Sequence, residues 1–121
     1  MTLADEPPIH GRMLYERCLQ DAGFVEELLQ VFKDQSARHL AGLRRAISDG
    51  DGDAIWHFAH AMKGSAANLS ALRVEALAGQ LEAVAKQGAK AEINALTDAI
   101  SAELDRCYAY GPELLAKLKQ N

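Results

Sequence analysis

Aromatic residues make up only 6% of this 121-residue chain, and no stretch alternates apolar and polar residues as a half-buried strand would. Sheet architecture is thereby disfavoured, whereas the abundance of Ala and Leu favours helix. Cysteine is confined to Cys18 and Cys107, with no C-x-x-C spacing. Two isolated thiols read as buried cysteines in a reducing compartment more readily than as a disulfide. An excess of positive charge is also missing. The formal net charge is −4, which argues against a nucleic-acid partner, since phosphate backbones select a basic face. No apolar run approaches the length of a membrane span, so no membrane insertion is expected. The N-terminus, MTLADEPPIHGR, lacks the charged start and apolar stretch of a secretory signal. The cytoplasm is the expected location.

What is present suits one globular domain over residues 1–121: 49% hydrophobic and 25% charged residues, with enough chain to bury one core without staples. Residues 1–10 hold Pro7 and Pro8 and are expected to form a loose lead-in. The initiating Met and this lead-in suit both a stand-alone protein and the C-terminal piece of a longer one. A short helix is expected from about Arg12 to Leu19, stopped near Gly23. Four longer helical patterns follow. The first spans Phe24 to Ser48, with Val25, Leu28, Leu29, Phe32, Leu43 and Ile47 on one stripe; at 1.5 Å per residue it is about 37 Å long. Gly50 and Gly52 break it, and Asp51 or Asp53 can cap the next helix, which runs to about Leu69. The third spans Ala71 to Gln87, ending at Gly88, and Ser70 is placed to cap it.

The fourth long helix starts near Lys90. Its stripe of Ile93, Leu96, Ile100, Leu104, Cys107, Tyr108, Leu114, Leu115 and Leu118 keeps helical phase to the end. Pro112 should kink or restart it. Short connections make sequential helices antiparallel, so the pattern as a whole predicts an all-α, up-down four-helix bundle with a short additional N-terminal helix. Asp49-x-Asp51-x-Asp53 imitates the start of a calcium loop, but Ala54 stands where glycine is needed and His60 where a bidentate Glu is needed. That site is rejected, and no metal or other cofactor is expected.

The chemistry concentrates in Trp56-His57-Phe58-Ala59-His60-Ala61-Met62-Lys63-Gly64-Ser65-Ala66-Ala67. On a helix, Ile55, Phe58, Ala59, Met62, Ala66 and Leu69 share one arc and face the core, which turns His60 roughly 150° away, into solvent. Lys63, Gly64 and Ala67 lie one to two turns later on that outer face. Glycine inside a helix costs about 1 kcal/mol relative to alanine, and no packing within the domain explains it at an exposed position. An approaching partner does. Ala61 and Ala67 are also small, so the imidazole stands over a shallow surface. Lys63 puts an ammonium within reach of an anion held on the ring, and a neutral imidazole nitrogen is a competent nucleophile near pH 7. Together these residues describe an exposed nucleophile, a nearby cation and room for a large partner.

Residues 59–65, Ala-His-Ala-Met-Lys-Gly-Ser, resemble the A-H-x-L-K-G-S core of histidine-containing phosphotransfer (HPt) domains. Gly50-Asp51 resembles the Gly-Asp before that family's phosphohelix, Phe32 its upstream aromatic, and Leu81-Glu82 the Leu-Glu that closes the next helix, so the likeness runs from about residue 24 to 104. Such domains are four-helix bundles that relay phosphoryl groups between histidine and the aspartate of receiver domains. The resemblance implies that His60 is phosphorylated, that Lys63 steadies the phosphoryl oxygens, and that Gly64 keeps the surface open to the receiver. It also puts Glu82 near the histidine, where a carboxylate can hold Nδ1–H and leave Nε2 free to attack. The chain is then a phosphocarrier and not an autonomous kinase, with response-regulator receivers and a hybrid histidine kinase as partners. A monomer is expected. Met62 and Ser70 depart from the family's usual leucine and glycine.

Plainer readings stand beside these. An isolated surface histidine is usually only that; the company of Lys63 and Gly64 sets His60 apart. His57 and His60 could bind a metal ion, but two ligands without a third make a weak site. Trp56 fits either a docking patch or a cover over the bundle seam. Lys86, four residues after Glu82, reads as its ion-pair partner or as part of the docking surface, in which His57 and Ala67 are also placed. Gly79 is expected to allow close helix packing, and His10 and His39 carry no sign of chemistry. The rival function is a helical docking module that regulates a receiver or kinase without being phosphorylated.

Overall fold

Residues 6–120 are described by a computed structural model, and among them there are five helices and no strand. The helices are α1 (Gly11–Arg17), α2 (Ala22–Asp49), α3 (Gly52–Leu69), α4 (Leu72–Val84) and α5 (Lys90–Lys119). None is long and apolar enough to cross a membrane. α2 packs on α3, α3 on α4, α4 on α5 and α5 back on α2, while α1 leans against α2. The stripes meet in one core, where Val25, Leu43, Met62, Val74, Leu81, Ile100 and Leu104 are essentially inaccessible.

Side-chain caps and left-handed residues set the boundaries. α1 ends at Arg17, short of the expected Leu19, and Leu19 and Gln20 make the turn at φ 55° and 60°. Gly23 does not stop it. The Asp21 carboxylate accepts from the Phe24 N–H at 3.2 Å and starts α2 there, so Gly23 falls inside the first turn. Gly50, at φ 66°, closes α2, and Asp51 caps α3 by accepting from the Ala54 N–H at 3.0 Å. Gly52 therefore opens α3 instead of breaking α2. α4 ends at Val84, before the expected Gln87, with Gly88 at φ 73° in the turn to α5. α5 passes through Pro112 as one helix; buried Leu104 and Cys107 before it and Leu114 after it anchor both halves to the same core.

Ser70 does not cap α4. It closes α3 in the left-handed region at φ 60°, its hydroxyl is buried without a partner, and Ala71 stands at the N-cap of α4 with no side-chain cap. A non-glycine residue in that conformation costs about 1–2 kcal/mol. Ser70→Gly is expected to raise stability by about 1 kcal/mol, read as an increase in the urea midpoint; an unchanged or lower midpoint refutes the strain.

The lead-in is not loose where it is described. Pro8 and Ile9 are buried, the His10 N–H donates to the Ser70 carbonyl at 2.8 Å, and Arg106 donates to the Glu6 carbonyl at 3.1 Å. Burial of a side chain such as Ile9 contributes about 1.5–3 kcal/mol, enough to offset the ordering of a short segment. Residues 1–5 of the expected lead-in lie outside the described residues. His10 accepts from the Met13 N–H at 3.2 Å and so caps α1, and His39 is half-buried with Nδ1 unpartnered.

Both cysteines are free and buried. Burial raises the Cys18 thiol above its ordinary value and pushes Cys107 up to about 12. Neither is a thiolate at pH 8, so neither is expected to react with a thiol reagent until the chain is unfolded. Rapid labelling of the folded protein, followed spectrophotometrically, would contradict this.

Candidate functional site

Burial of Ile55, Ala59, Met62, Ala66 and Leu69 fixes the rotation of α3 and sends His60 outward from its middle, with 58% of its side chain exposed. α4 packs alongside and brings Glu82 up to it. The carboxylate divides its oxygens: Oε2 lies 2.8 Å from His60 Nδ1, and Oε1 accepts from the Lys63 ammonium at 3.2 Å. A carboxylate only accepts, so Nδ1 carries the proton and Nε2 keeps its lone pair in the neutral ring. Lys63 and His60, one turn apart on α3, are thus tied to a single acid on α4.

The hydrogen bond from His60 holds the Glu82 carboxyl below the usual carboxylate range; the Lys63 hydrogen bond and charge act in the same direction, and burial opposes them. A group with a lowered folded pKa stabilises the fold above its unfolded pKa and loses that contribution as pH falls through the folded one. The difference in melting temperature between the wild type and Glu82→Gln is therefore expected to be full near neutrality and to shrink below about pH 4.5, the ordinary carboxylate value. A difference that stays constant from pH 7 to pH 3 would refute the linkage.

Trp56, one turn before His60, lies against the imidazole. The ring centroids are 4.8 Å apart with planes 7° from parallel, and the His57 ring meets the indole edge-on at 5.3 Å and 81°. The Lys86 ammonium sits over the indole, 5.4 Å from its centroid, and 3.5 Å from Asp53 Oδ1. Lys86 does not pair with Glu82 as its i,i+4 spacing suggests: α4 ends at Val84, helical phase is lost, and Lys86 turns back toward the start of α3. The cation beside Glu82 is Lys63.

Gly64 is exposed, and a Cβ there would meet nothing within 4 Å. At Gly79 on α4 a Cβ would rest 3.6 Å from Lys63 Cδ, an ordinary contact, so close packing does not demand that glycine. Gly42, by contrast, has the Phe58 ring inside contact distance of the Cβ position and is the glycine that lets α2 and α3 approach. Ala67 is half-buried, and its carbonyl, which takes the Ser70 N–H at 3.1 Å, also accepts from Arg17 at 2.7 Å at the end of α3. His57 is exposed, and among the described residues no group of three or more His, Cys, Asp or Glu side chains is placed to hold a metal ion.

Arg17 and the contact between Trp56 and His60 were not singled out by the sequence, and Asp53 was singled out only as a possible helix cap and in the rejected calcium pattern. The i,i+4 spacing of Trp56 and His60 is a usable signal for the stacking; the Asp53–Lys86 and Arg17–Ala67 contacts join different elements and carry none.

The sequence profile of the Hpt domain matches residues 27–109. The crystal structure of histidine-containing phosphotransfer protein B from Pseudomonas aeruginosa PAO1 is similar in fold, with a TM-score of 0.84 at 24% sequence identity, over 93% of this chain and 98% of that one. No curated protein sequence matches significantly.

Proposed function

The chain belongs to the Hpt domain family, and on that premise we propose that His60 accepts a phosphoryl group from the aspartate of a receiver domain, or from a kinase, and passes it to a response-regulator receiver. The observation that carries this reading is the 2.8 Å contact of Nδ1 with Glu82 on a side chain that is 58% exposed. It leaves Nε2 as the free nucleophile.

In this mechanism the Nε2 lone pair attacks the phosphorus of the receiver's phosphoaspartate in line. The Nε2–P bond forms as the P–O bond breaks, and the aspartate leaves as a carboxylate. Positive charge develops on the imidazole and is stabilised through Nδ1–H by Glu82, while the Lys63 ammonium faces the phosphoryl oxygens. Transfer to the next receiver reverses these steps. The metal ion and acidic pocket belong to the receiver, and this chain is a phosphocarrier with no kinase activity of its own. His57, Gly64, Ala67 and Lys86, with the edge of Trp56, form the docking surface around His60.

Residues 1–121 act as one domain in this reading. The four long helices form an antiparallel up-down bundle, supported by their short connections and by the return of α5 onto α2. The protein works as a cytoplasmic monomer. Incubation with a phosphorylated receiver is expected to give acid-labile, base-stable phosphate on His60. Binding of the receiver with no transfer would overturn the reading in favour of a docking module.

A further inference from the structure

Trp56 is the only tryptophan in the chain, half-buried at the seam, and its indole lies nearly parallel to the imidazole of His60. An exposed histidine ordinarily moves among staggered rotamers. Here two contacts restrict it in different ways. The hydrogen bond to Glu82 sets where Nδ1 points within the ring plane, and the indole sets the plane itself. The indole is in turn held by Lys86 over its face, by Asp53 beside that ammonium, and by the edge of His57. A line of contacts thus runs from Asp53 through Lys86 and Trp56 to the nucleophile.

We propose that Trp56 is a positioning residue for phosphoryl transfer: by stacking on His60 it confines the imidazole to the orientation that presents Nε2 and withholds Nδ1. The proposal rests on His60 being the phosphoryl acceptor. In-line transfer rewards a fixed attacking atom, and a ring released from the indole also frees Nδ1, a second nucleophilic nitrogen.

The test uses phosphoramidate, a small donor that needs no docking surface. Nε2 attacks its phosphorus, the P–N bond breaks and ammonia leaves. The wild type is expected to form only the Nε2-phosphohistidine at His60, resolved from the Nδ1 isomer by phosphorus NMR. Trp56→Leu should slow that reaction roughly three- to tenfold, the scale of one aromatic stacking contact, and admit a fraction of the Nδ1 isomer; Trp56→Phe should restore both rate and selectivity. With a phosphorylated receiver, Trp56→Leu should lower the rate at saturation by a similar factor. A wild-type rate and isomer ratio in Trp56→Leu, a rise in half-saturation alone, or no labelling of His60 in the wild type overturns the proposal. If phosphoramidate labels His60 but no receiver does, the relay reading fails and the isomer ratio still decides the role of Trp56.

Discussion

His60→Gln is expected to reduce phosphoryl acceptance from a receiver to background, a loss of more than roughly 1,000-fold, because the substitution removes the proposed attacking nitrogen itself. The fold should tolerate it. With 58% of the His60 side chain in solvent no core contact is lost, and the Gln amide can still donate to Glu82, so stability should stay within about 0.5 kcal/mol of the wild type. His57→Gln, three residues away on the same exposed surface, should retain the label. Acid-labile label surviving in His60→Gln, measured alongside a normal melting curve, would falsify the site assignment. Loss of label in both variants would instead implicate the surface as a whole.

Gly64→Leu should move stability and transfer in opposite directions. The open space at the Gly64 Cβ position leaves a larger side chain nothing to clash with inside the domain, and replacing a mid-helix glycine by leucine improves helix propensity by roughly 0.5–1 kcal/mol. The melting temperature should therefore rise by about 2–8 °C. One turn after His60, however, the leucine stands on the surface proposed to meet the receiver. Transfer from a phosphorylated receiver should fall by at least about tenfold, because a displacement of the reacting atoms by about 1 Å costs about 100-fold. A variant that gains stability and transfers at the wild-type rate would show that the glycine serves no partner.

The helices and their phases were readable because they depend on local chemistry. Apolar spacing of three and four residues marks each buried stripe, and Asp51 caps α3 through a hydrogen bond that spans only three residues. The outward direction of His60 follows from the same spacing, since fixing one face of a helix fixes the other. Expectations failed where two local signals competed. Gly23 suggested a stop, but Asp21 could start a helix two residues earlier, and starting it satisfied more backbone donors. Ser70 suggested a cap, yet the chain needed a left-handed residue there and used serine despite its cost. Pro112 suggested a kink or a restart, and no restart occurs: the buried residues on either side hold α5 as one helix.

From its order of residues alone the chain determined that it is helical, where each helix buries its stripe, and that an imidazole, an ammonium and a bare glycine share one exposed face. These depend on spacings of a few residues along one helix. Only the packed structure decided which Glu82 oxygen meets Nδ1, that Lys63 and not Lys86 is the neighbouring cation, that the Trp56 indole lies on the His60 ring, and that Ile9 closes the core. Most of those contacts join residues about twenty or more apart in the chain. Their distances are set by how α3, α4 and the lead-in seat against one another, and no helical period encodes that.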